Sequence, residues 1–299
     1  MKKRAIVALL GIGMLAGVVL AQPRKLKVYI AVDMEGVVGT VTGDQLGPAG
    51  FEYARFREFM SHEALAAVNA AKESGATEIL VADSHGNGEN LLIEMFPPDV
   101  RIIRSWPRHL GMMAGLDATF DGAIFIGFHA STNNPQGVRA HTFSSARFTR
   151  VAVNGTNFSE GAWGAAIAGH FGVPVVMISG DDAAIAEVRA LVGNIEAAEV
   201  KRALSFHSAN TVTPAASYEL IRQKVKSALG RLPDFKPFRV TSPVTVEIGF
   251  KHYTPVEVLG FLKMFERVDS HTIRYRAKDM IEAADILEFL SNYSVSLEP

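Results

Sequence analysis

Hydrophobic runs alternate with amphipathic stretches over the first two thirds of the chain, and this alternation predicts strands and helices in turn. Residues 51–74 carry apolar side chains along one stripe and end at a glycine, which predicts a helix. A second helix is predicted over residues 161–170, with Ser159 as its N-cap. Short apolar runs predict buried strands at residues 25–32, 78–82, 100–103, 122–128 and 173–178. Strands that alternate with helices favour a parallel sheet with right-handed crossovers.

The last third of the chain has a different pattern. Apolar and polar residues alternate within its predicted strands, as is typical of half-exposed strands. The predicted elements here are helices at residues 214–229, 256–265 and 278–290 and strands at 243–250 and 272–277. A hairpin is predicted earlier, around Asn154-Gly155. We therefore interpret the fold class as α/β, with a mostly parallel central sheet and flanking helices. Residues 22–190 form the predicted catalytic core, and residues 191–299 form an α+β C-terminal portion of the same catalytic unit.

The first 21 residues are typical of a secretory signal peptide. Three basic residues precede an apolar run of about sixteen residues, and Ala21 supplies the small residue at the predicted cleavage site. The alternative is a membrane anchor, but the run is shorter than the roughly 20 residues of a membrane span. We predict cleavage after Ala21, no stable membrane insertion afterwards, and a periplasmic or secreted protein.

The amino-acid composition limits the metal ligands and the partners that this chain can have. The chain contains no cysteine, so it has no disulfides and no thiolate metal ligands. The leader holds three of the 30 Lys and Arg residues and none of the 31 acidic residues, which leaves a net charge of −4 on the remainder. Nucleic-acid binding would require clustered basic residues, and we predict no nucleic-acid partner.

Polar residues stand where the predicted strands end. Asp33 and Glu35 follow the first strand, His85 follows the second, and His129 follows the run at residues 122–128. Strand ends of this kind form the active sites of open α/β sheets. Glu160 stands in the first turn of a predicted helix, where the helix dipole alone would also favour it. Carboxylates and imidazoles suit a catalytic zinc, so we infer a metal-dependent hydrolase.

One further histidine, His141, lies in a polar loop twelve residues after His129. Histidine side chains can gain and lose a proton near neutral pH, so His141 is a candidate acid, base or nucleophile. A serine nucleophile is disfavoured because the chain lacks a G-x-S-x-G motif.

Together these motifs resemble the zinc D-aminopeptidases of peptidase family M55. The matching segments, in chain order, are VDMEG (Val32–Gly36), DSHG (Asp83–Gly86), GFHA (Gly127–Ala130), the His141 loop, VNG to SEG (Val153–Gly161), VMISGDD (Val176–Asp182) and RAKDM (Arg276–Met280). The resemblance spans almost the whole chain after the leader, and VDMEG with DSH is its most specific part.

The resemblance implies two Zn²⁺ ions per subunit. Asp33 would bridge both ions, Glu35 and His85 would complete one, and His129 and Glu160 would complete the other. His141 would be the catalytic histidine, proposed in the family as a nucleophile. The family also implies a ring-like homo-oligomer, a decamer, that releases N-terminal D-residues from short peptides such as D-Ala-D-Ala. The leader is a departure, since the reference members are cytoplasmic.

Small residues near the predicted ligands predict a tight pocket and N-terminal D-Ala, D-Ser or Gly as substrates. These residues are Gly127, Ala130, Gly161 and Ala162. Two alternatives stay open at this point. One is an exported two-metal amidohydrolase or phosphoesterase, for which Arg139 is the nearby basic residue. The other is a non-catalytic peptide-binding protein of a transport system.

Overall fold

The computed structural model describes residues 25–292, so the predicted signal peptide at residues 1–21 lies outside the described residues. Within residues 25–292, no helix combines the length and the apolar character needed to cross a bilayer.

A central sheet of seven strands carries the fold, in the order β3-β2-β1-β4-β7-β8-β9. All neighbouring pairs are parallel except β8 and β9. The strands are β1 (Leu26–Val32), β2 (Ala76–Asp83), β3 (Arg101–Ile103), β4 (Gly122–Phe128), β7 (Val175–Asp181), β8 (Glu196–Ser205) and β9 (Ser208–Thr211). The five strands predicted in this part of the sequence are all present, as β1 to β4 and β7. The mostly parallel α/β class is confirmed.

A second sheet of five antiparallel strands has the order β11-β12-β10-β5-β6. Its strands are β5 (Phe148–Val153), β6 (Thr156–Asn157), β10 (Val244–Phe250), β11 (Phe265–Arg267) and β12 (Thr272–Ala277). One continuous hydrophobic core includes buried residues of both sheets. The boundary drawn at residue 190 does not separate the two sheets. Strands β8 and β9 follow residue 190 but belong to the central sheet, and β5 precedes it but pairs with β10 of the second sheet.

Six α-helices within residues 25–292 pack against the sheets and against one another. They are α1 (Tyr53–Glu73), α2 (Glu160–His170), α3 (Asp182–Val192), α4 (Pro214–Gly230), α5 (Tyr253–Leu259) and α6 (Met280–Asn292). Helix α1 packs against α4, whereas α2 packs against α3 and α6. The predicted cap of α2 is present, since the Ser159 hydroxyl accepts a hydrogen bond from the amide of Ala162.

Two parts of the sequence prediction differ from the structure. The helix predicted over residues 256–265 is wrong, because α5 ends at Leu259 beside Gly260 and the chain turns into β11 at Phe265. Helix α3 and strands β8 and β9 were not predicted. Strand β8 lies near the sheet edge and seven of its ten residues are exposed or partly exposed, so it lacks the apolar run that marks a central strand.

The direction of the strand order reverses between β1 and β4. From β1 the chain moves through β2 to β3 on one side, and from β4 it moves through β7 to β8 on the other. Right-handed crossovers then place α1 on one face of the sheet and α2 and α3 on the other. Such a reversal opens a crevice at the carboxyl ends of the two strands, which is where ligands bind in α/β sheets.

Candidate metal centre

The crevice at the reversal brings together the residues that follow β1, β2 and β4. Asp33 is anchored to β4 by its amide, which donates to the Ile126 carbonyl at 2.8 Å. His85 follows β2, and the neighbouring Ser84 amide donates to the Val32 carbonyl at 2.8 Å. His129 directly follows β4. The sheet itself therefore fixes the backbone of all three residues.

Two glycines allow the ends of β1 and β4 to approach this closely. A Cβ on Gly36 would lie 2.0 Å from the carbonyl oxygen of Phe128, so a side chain cannot fit there. Gly127 has a φ of +73° and lies against the Asp33 carbonyl, where a Cβ would come within 2.3 Å. Both positions require glycine because backbone approaches backbone without space for a side chain.

Three carboxylates and two imidazoles form one buried cluster around Asp33. Asp33 lies between two histidines, with Oδ1 3.3 Å from His85 Nδ1 and Oδ2 3.3 Å from His129 Nε2. Glu35 Oε2 is 2.8 Å from His85 Nδ1, and Glu160 Oε1 is 3.3 Å from His129 Nε2. Asp33 is thus shared between a Glu35–His85 pair and a Glu160–His129 pair.

The third imidazole, His141, faces the same carboxylates from a greater distance. Its Nε2 is 3.7 Å from Glu160 Oε1 and 4.0 Å from Glu35 Oε1. Its ring stacks on His129 with the ring centroids 4.1 Å apart and the planes inclined by 6°. The structure therefore brings together all six residues singled out in the sequence.

The hydrogen bonds of the three histidines fix where their protons lie. One ring nitrogen of each donates to a backbone carbonyl: Nε2 of His85, and Nδ1 of His129 and of His141. The acceptors are the carbonyl oxygens of Leu46, Ala130 and Arg139, at 2.7, 3.0 and 2.8 Å respectively. The other nitrogen of each ring faces carboxylate oxygens. A protonated ring donates to them, whereas a neutral ring turns a lone pair toward them and repels them unless a cation lies between.

Several features of the cluster fit a divalent cation. Asp33 Oδ2 and His129 Nε2 are buried without a hydrogen-bond partner, whereas buried polar atoms are nearly always paired. Ligand atoms of Asp33, Glu35 and His129 lie within 4.8 Å of one another, as do those of His129, His141 and Glu160. Carboxylate oxygens and imidazole nitrogens are a suitable donor set for zinc.

The protein atoms alone leave the cluster electrostatically unbalanced. Burial and the charge of Glu35 both raise the pKa of Asp33. Burial by itself would lower the pKa of His85, but Glu35 and Asp33 outweigh it and raise that pKa well above the usual value. Burial would raise the pKa of Glu160, yet His129 lowers it. Each charge is therefore stable only with an opposite charge beside it, which is the role a bound cation fills.

The loop that carries His141 is held in an unusual backbone conformation. Arg139 and Phe143, two residues before and after His141, have positive φ values of 54° and 60°. The Phe143 amide donates to Glu160 Oε1 at 2.6 Å, and the His141 amide donates to the Ala130 carbonyl at 3.1 Å. Non-glycine residues in this region are strained, and such strain is commonly found at functional sites.

Asp83 lies two residues before His85, but its carboxylate contacts the loop that follows His85 and not the His85 ring. Its carboxylate accepts from the backbone and side-chain amides of Asn90 at 2.6 and 2.8 Å. The Asn90 side chain in turn donates to the His85 carbonyl at 2.6 Å. Asn90 was not identified from the sequence, because an Asn in a polar loop carries no pattern that marks it.

A buried lysine supports the loop that carries Glu35. Lys201, on β8, is fully buried, and its ammonium donates to the carbonyls of Glu35, Val37 and Thr40, the last two at 3.0 and 2.6 Å. Burial lowers the pKa of Lys201 to about 8. Sequence reasoning missed Lys201 because β8 was not predicted.

Glu63 holds the same loop from helix α1. Its Oε1 accepts from the Val38 amide at 3.0 Å and from the Ser217 hydroxyl at 2.6 Å, and burial raises its pKa to about 7. A signal for Glu63 is present in the sequence. It lies three residues after Met60 and seven after Phe56, on the apolar stripe of the helix.

A cavity of about 200 Å³ opens beside the cluster. Its lining includes five of the six site residues: Asp33, Glu35, His85, His141 and Glu160. Six large apolar side chains also line it: Trp106, Leu110, Met112, Phe143, Trp163 and Leu287. Helix α6 contributes Leu287 together with the polar side chains of Glu288, Ser291 and Asn292, so the C-terminal portion completes the site.

The tight pocket predicted from four small residues is wrong. None of Gly127, Ala130, Gly161 and Ala162 belongs to the described residues that line the cavity. Gly161 instead makes space for helix packing, since a Cβ there would lie 2.7 Å from Val188 Cγ2. Proximity in sequence to the ligands did not indicate which way these residues face.

Comparison with known proteins agrees with this geometry. The model of the Peptidase_M55 family, described as D-aminopeptidase, matches residues 26–289. The chain is 33% identical over 261 residues to a D-aminopeptidase of Bacillus subtilis strain 168, covering 86% of this chain and 94% of the relative. Its fold matches that of the Zn-dependent D-aminopeptidase DppA from Bacillus subtilis, a self-compartmentalizing protease, with a TM-score of 0.85 and 32% identity. That match covers 90% of this chain and 99% of the other.

Proposed function

This chain belongs to the M55 family of D-aminopeptidases, and from that membership we propose that it is a two-zinc enzyme that releases N-terminal D-residues from short peptides. The family and the matching fold make it a zinc-dependent aminopeptidase. The observation that carries the finer proposal is the shared position of Asp33. Its two oxygens face two separate histidine–glutamate pairs, which is the arrangement of a carboxylate that bridges two ions.

The chain's residues divide into two ligand sets around Asp33. Glu35 and His85 would hold one ion, and His129 and Glu160 the other. When bound, such a pair of ions supplies Lewis acidity that polarises a peptide carbonyl and acidifies water. The backbone carbonyls that accept from His85 and His129 orient both rings so that the opposite nitrogens face Asp33, as is usual for histidine ligands.

We propose that His141 acts on the substrate and is not a ligand. It faces the cavity and its side chain is 15% exposed, whereas the His129 side chain is 1% exposed and His129 does not line the cavity. Because Nδ1 donates to the Arg139 carbonyl, Nε2 is free to take up a proton during attack and return it to the leaving amine. The nucleophilic role implied by the family would use the same nitrogen.

The alternatives are less well supported. A phosphoesterase requires basic groups that bind phosphate, and no Lys or Arg is among the described residues lining the cavity. The Arg139 guanidinium lies over the Phe206 ring, 5.1 Å from its centroid. A non-catalytic binding protein would have no use for the complete ligand set or for the His141 loop.

An assay with chromogenic amides tests the proposed function. Purified protein with zinc should cleave D-Ala p-nitroanilide, and D-Ser and Gly amides, faster than L-Ala p-nitroanilide. N-acetyl-D-Ala p-nitroanilide should not be cleaved, because an acetylated nitrogen cannot ligate a metal as a free amine does. Light scattering on the same preparation should give a homo-oligomer, with ten subunits for the ring implied by the family. Equal cleavage of blocked and free substrates would contradict an aminopeptidase.

We further propose that the enzyme is exported. The support is the leader, in which basic residues precede an apolar run that ends at Ala21. An exported D-aminopeptidase would meet peptides from cell-wall turnover, where D-alanine is abundant. Mass spectrometry of the protein from its own host should find an N-terminus at or near Gln22. An intact Met1 on the purified protein would reject export with cleavage.

A further inference from the structure

The lining of the cavity beside the metal centre contains two chemically distinct sets of side chains. One set is the carboxylates and imidazoles of the cluster. The other set, which we call the apolar half of the cavity, consists of two tryptophans, a phenylalanine, a methionine and two leucines, and the polar side chains of Glu288, Ser291 and Asn292 also line the cavity. A substrate reduced to an amine, a methyl group and a carbonyl would need the first set only, which leaves the apolar half without an occupant.

The apolar half is already formed and held in place. The Trp106 indole donates to the Gly86 carbonyl at 2.8 Å, which ties it to the loop that follows His85. Phe143 and Trp163 pack edge to face with their ring centroids 5.7 Å apart. Leu287 of α6 is only 2% exposed. An occupant would therefore bind without ordering these side chains first, which favours affinity.

The whole cavity measures about 200 Å³, and the amine and the carbonyl of a substrate share it with the side chain. An engineered apolar cavity of about 150 Å³ binds benzene, so the volume is of the order that a branched or aromatic side chain requires. The Cα of an N-terminal residue lies between its amine and the scissile carbonyl. Since both of these groups belong at the cluster, the side chain of the same residue extends toward the apolar half.

We propose that the apolar half of the cavity is the subsite for the N-terminal side chain and that it selects D-residues larger than alanine, such as D-leucine and D-phenylalanine. This rests on the proposed aminopeptidase function and specifies its substrate class. Each methylene that fills an apolar pocket raises kcat/KM by about tenfold or more. Glu288, which also lines the cavity, disfavours acidic side chains by charge repulsion.

The test compares p-nitroanilides that differ only in the D-residue. We expect kcat/KM for D-Leu and D-Phe p-nitroanilides to exceed that for D-Ala p-nitroanilide by about tenfold or more, and D-Asp p-nitroanilide to be the poorest. Calorimetry with free D-leucine and D-alanine should give the same order in Kd without turnover. Cleavage of D-Ala p-nitroanilide with D-Leu tenfold slower would overturn the inference and leave the proposed function intact. Failure to cleave any of them, with zinc bound, would reject the proposed function itself.

Two variants on α6 test whether this part of the cavity lining determines the substrate preference. Ala284 and Leu287 both line the cavity. Ala284→Leu should lower kcat/KM for D-Leu p-nitroanilide by about tenfold while D-Ala p-nitroanilide is affected less. Leu287→Ala should shift the preference toward D-Phe. Ala216→Leu, the same change at an exposed position of α4, is the matched control and should leave the profile unchanged. Equal loss on D-Ala and D-Leu substrates in folded, zinc-loaded Ala284→Leu protein would contradict the assignment.

Discussion

Asp33→Asn is expected to abolish metal binding at both positions and to lower kcat/KM by about 10³-fold or more, since Lewis acidity supplies several kcal/mol. The reason is geometric: the two oxygens of Asp33 face two different histidines. An amide keeps the shape but loses the charge, and it places an N–H against one of the two ligand pairs. Elemental analysis and the D-Ala p-nitroanilide assay measure the two effects.

The histidines that contact only one oxygen of Asp33 provide the comparison for Asp33→Asn. His85→Ala and His129→Ala should each lose mainly one ion, because each histidine contacts one side of Asp33. Asp99→Asn is the matched control, since Asp99 is exposed and pairs with Lys72 away from the cluster. If Asp33→Asn retains two ions per chain, Asp33 is not a bridging ligand.

His141→Ala is expected to keep its zinc and its melting temperature but to lose activity by about 10²-fold or more, as is typical when a general acid or base is removed. His141 is the most exposed of the three histidines in the cluster and is farther from the carboxylates than His85 and His129.

The control for His141 separates catalysis from coordination. His271→Ala makes the same change at an exposed turn and should leave activity unchanged. Loss of one zinc ion from His141→Ala, measured by elemental analysis, would reassign His141 as a ligand to the ion held by His129 and Glu160. Activity within a few-fold of the unsubstituted enzyme would make it structural.

Much of the site was predictable because strand ends carry a local signal. Asp33, His85 and His129 each interrupt or follow an apolar run, and parallel strands place their carboxyl ends at one edge of the sheet. Glu160 was predictable as the first residue of a capped helix. His141 was less securely indicated, since a histidine in a polar loop has no periodicity around it.

The supporting residues were not predictable in the same way. Lys201 contacts three carbonyls that lie more than 160 residues earlier in the chain. Asn90 links Asp83 to the His85 backbone through hydrogen bonds that no local pattern encodes. The four small residues expected to form the pocket do not line the cavity, because size alone does not indicate the direction in which a residue faces.

The alternation of strands and helices in the first two thirds of the chain, the leader pattern, the absence of thiol ligands and the six candidate site residues follow from the sequence itself, because they depend on local periodicity and residue type. Tertiary structure decided three other things: which strand pairs with which, how α6 closes the cavity, and which nitrogen of each histidine turns toward the carboxylates. These depend on contacts between distant segments, and such contacts arise only when the chain buries its apolar surface and pairs its polar groups at the same time.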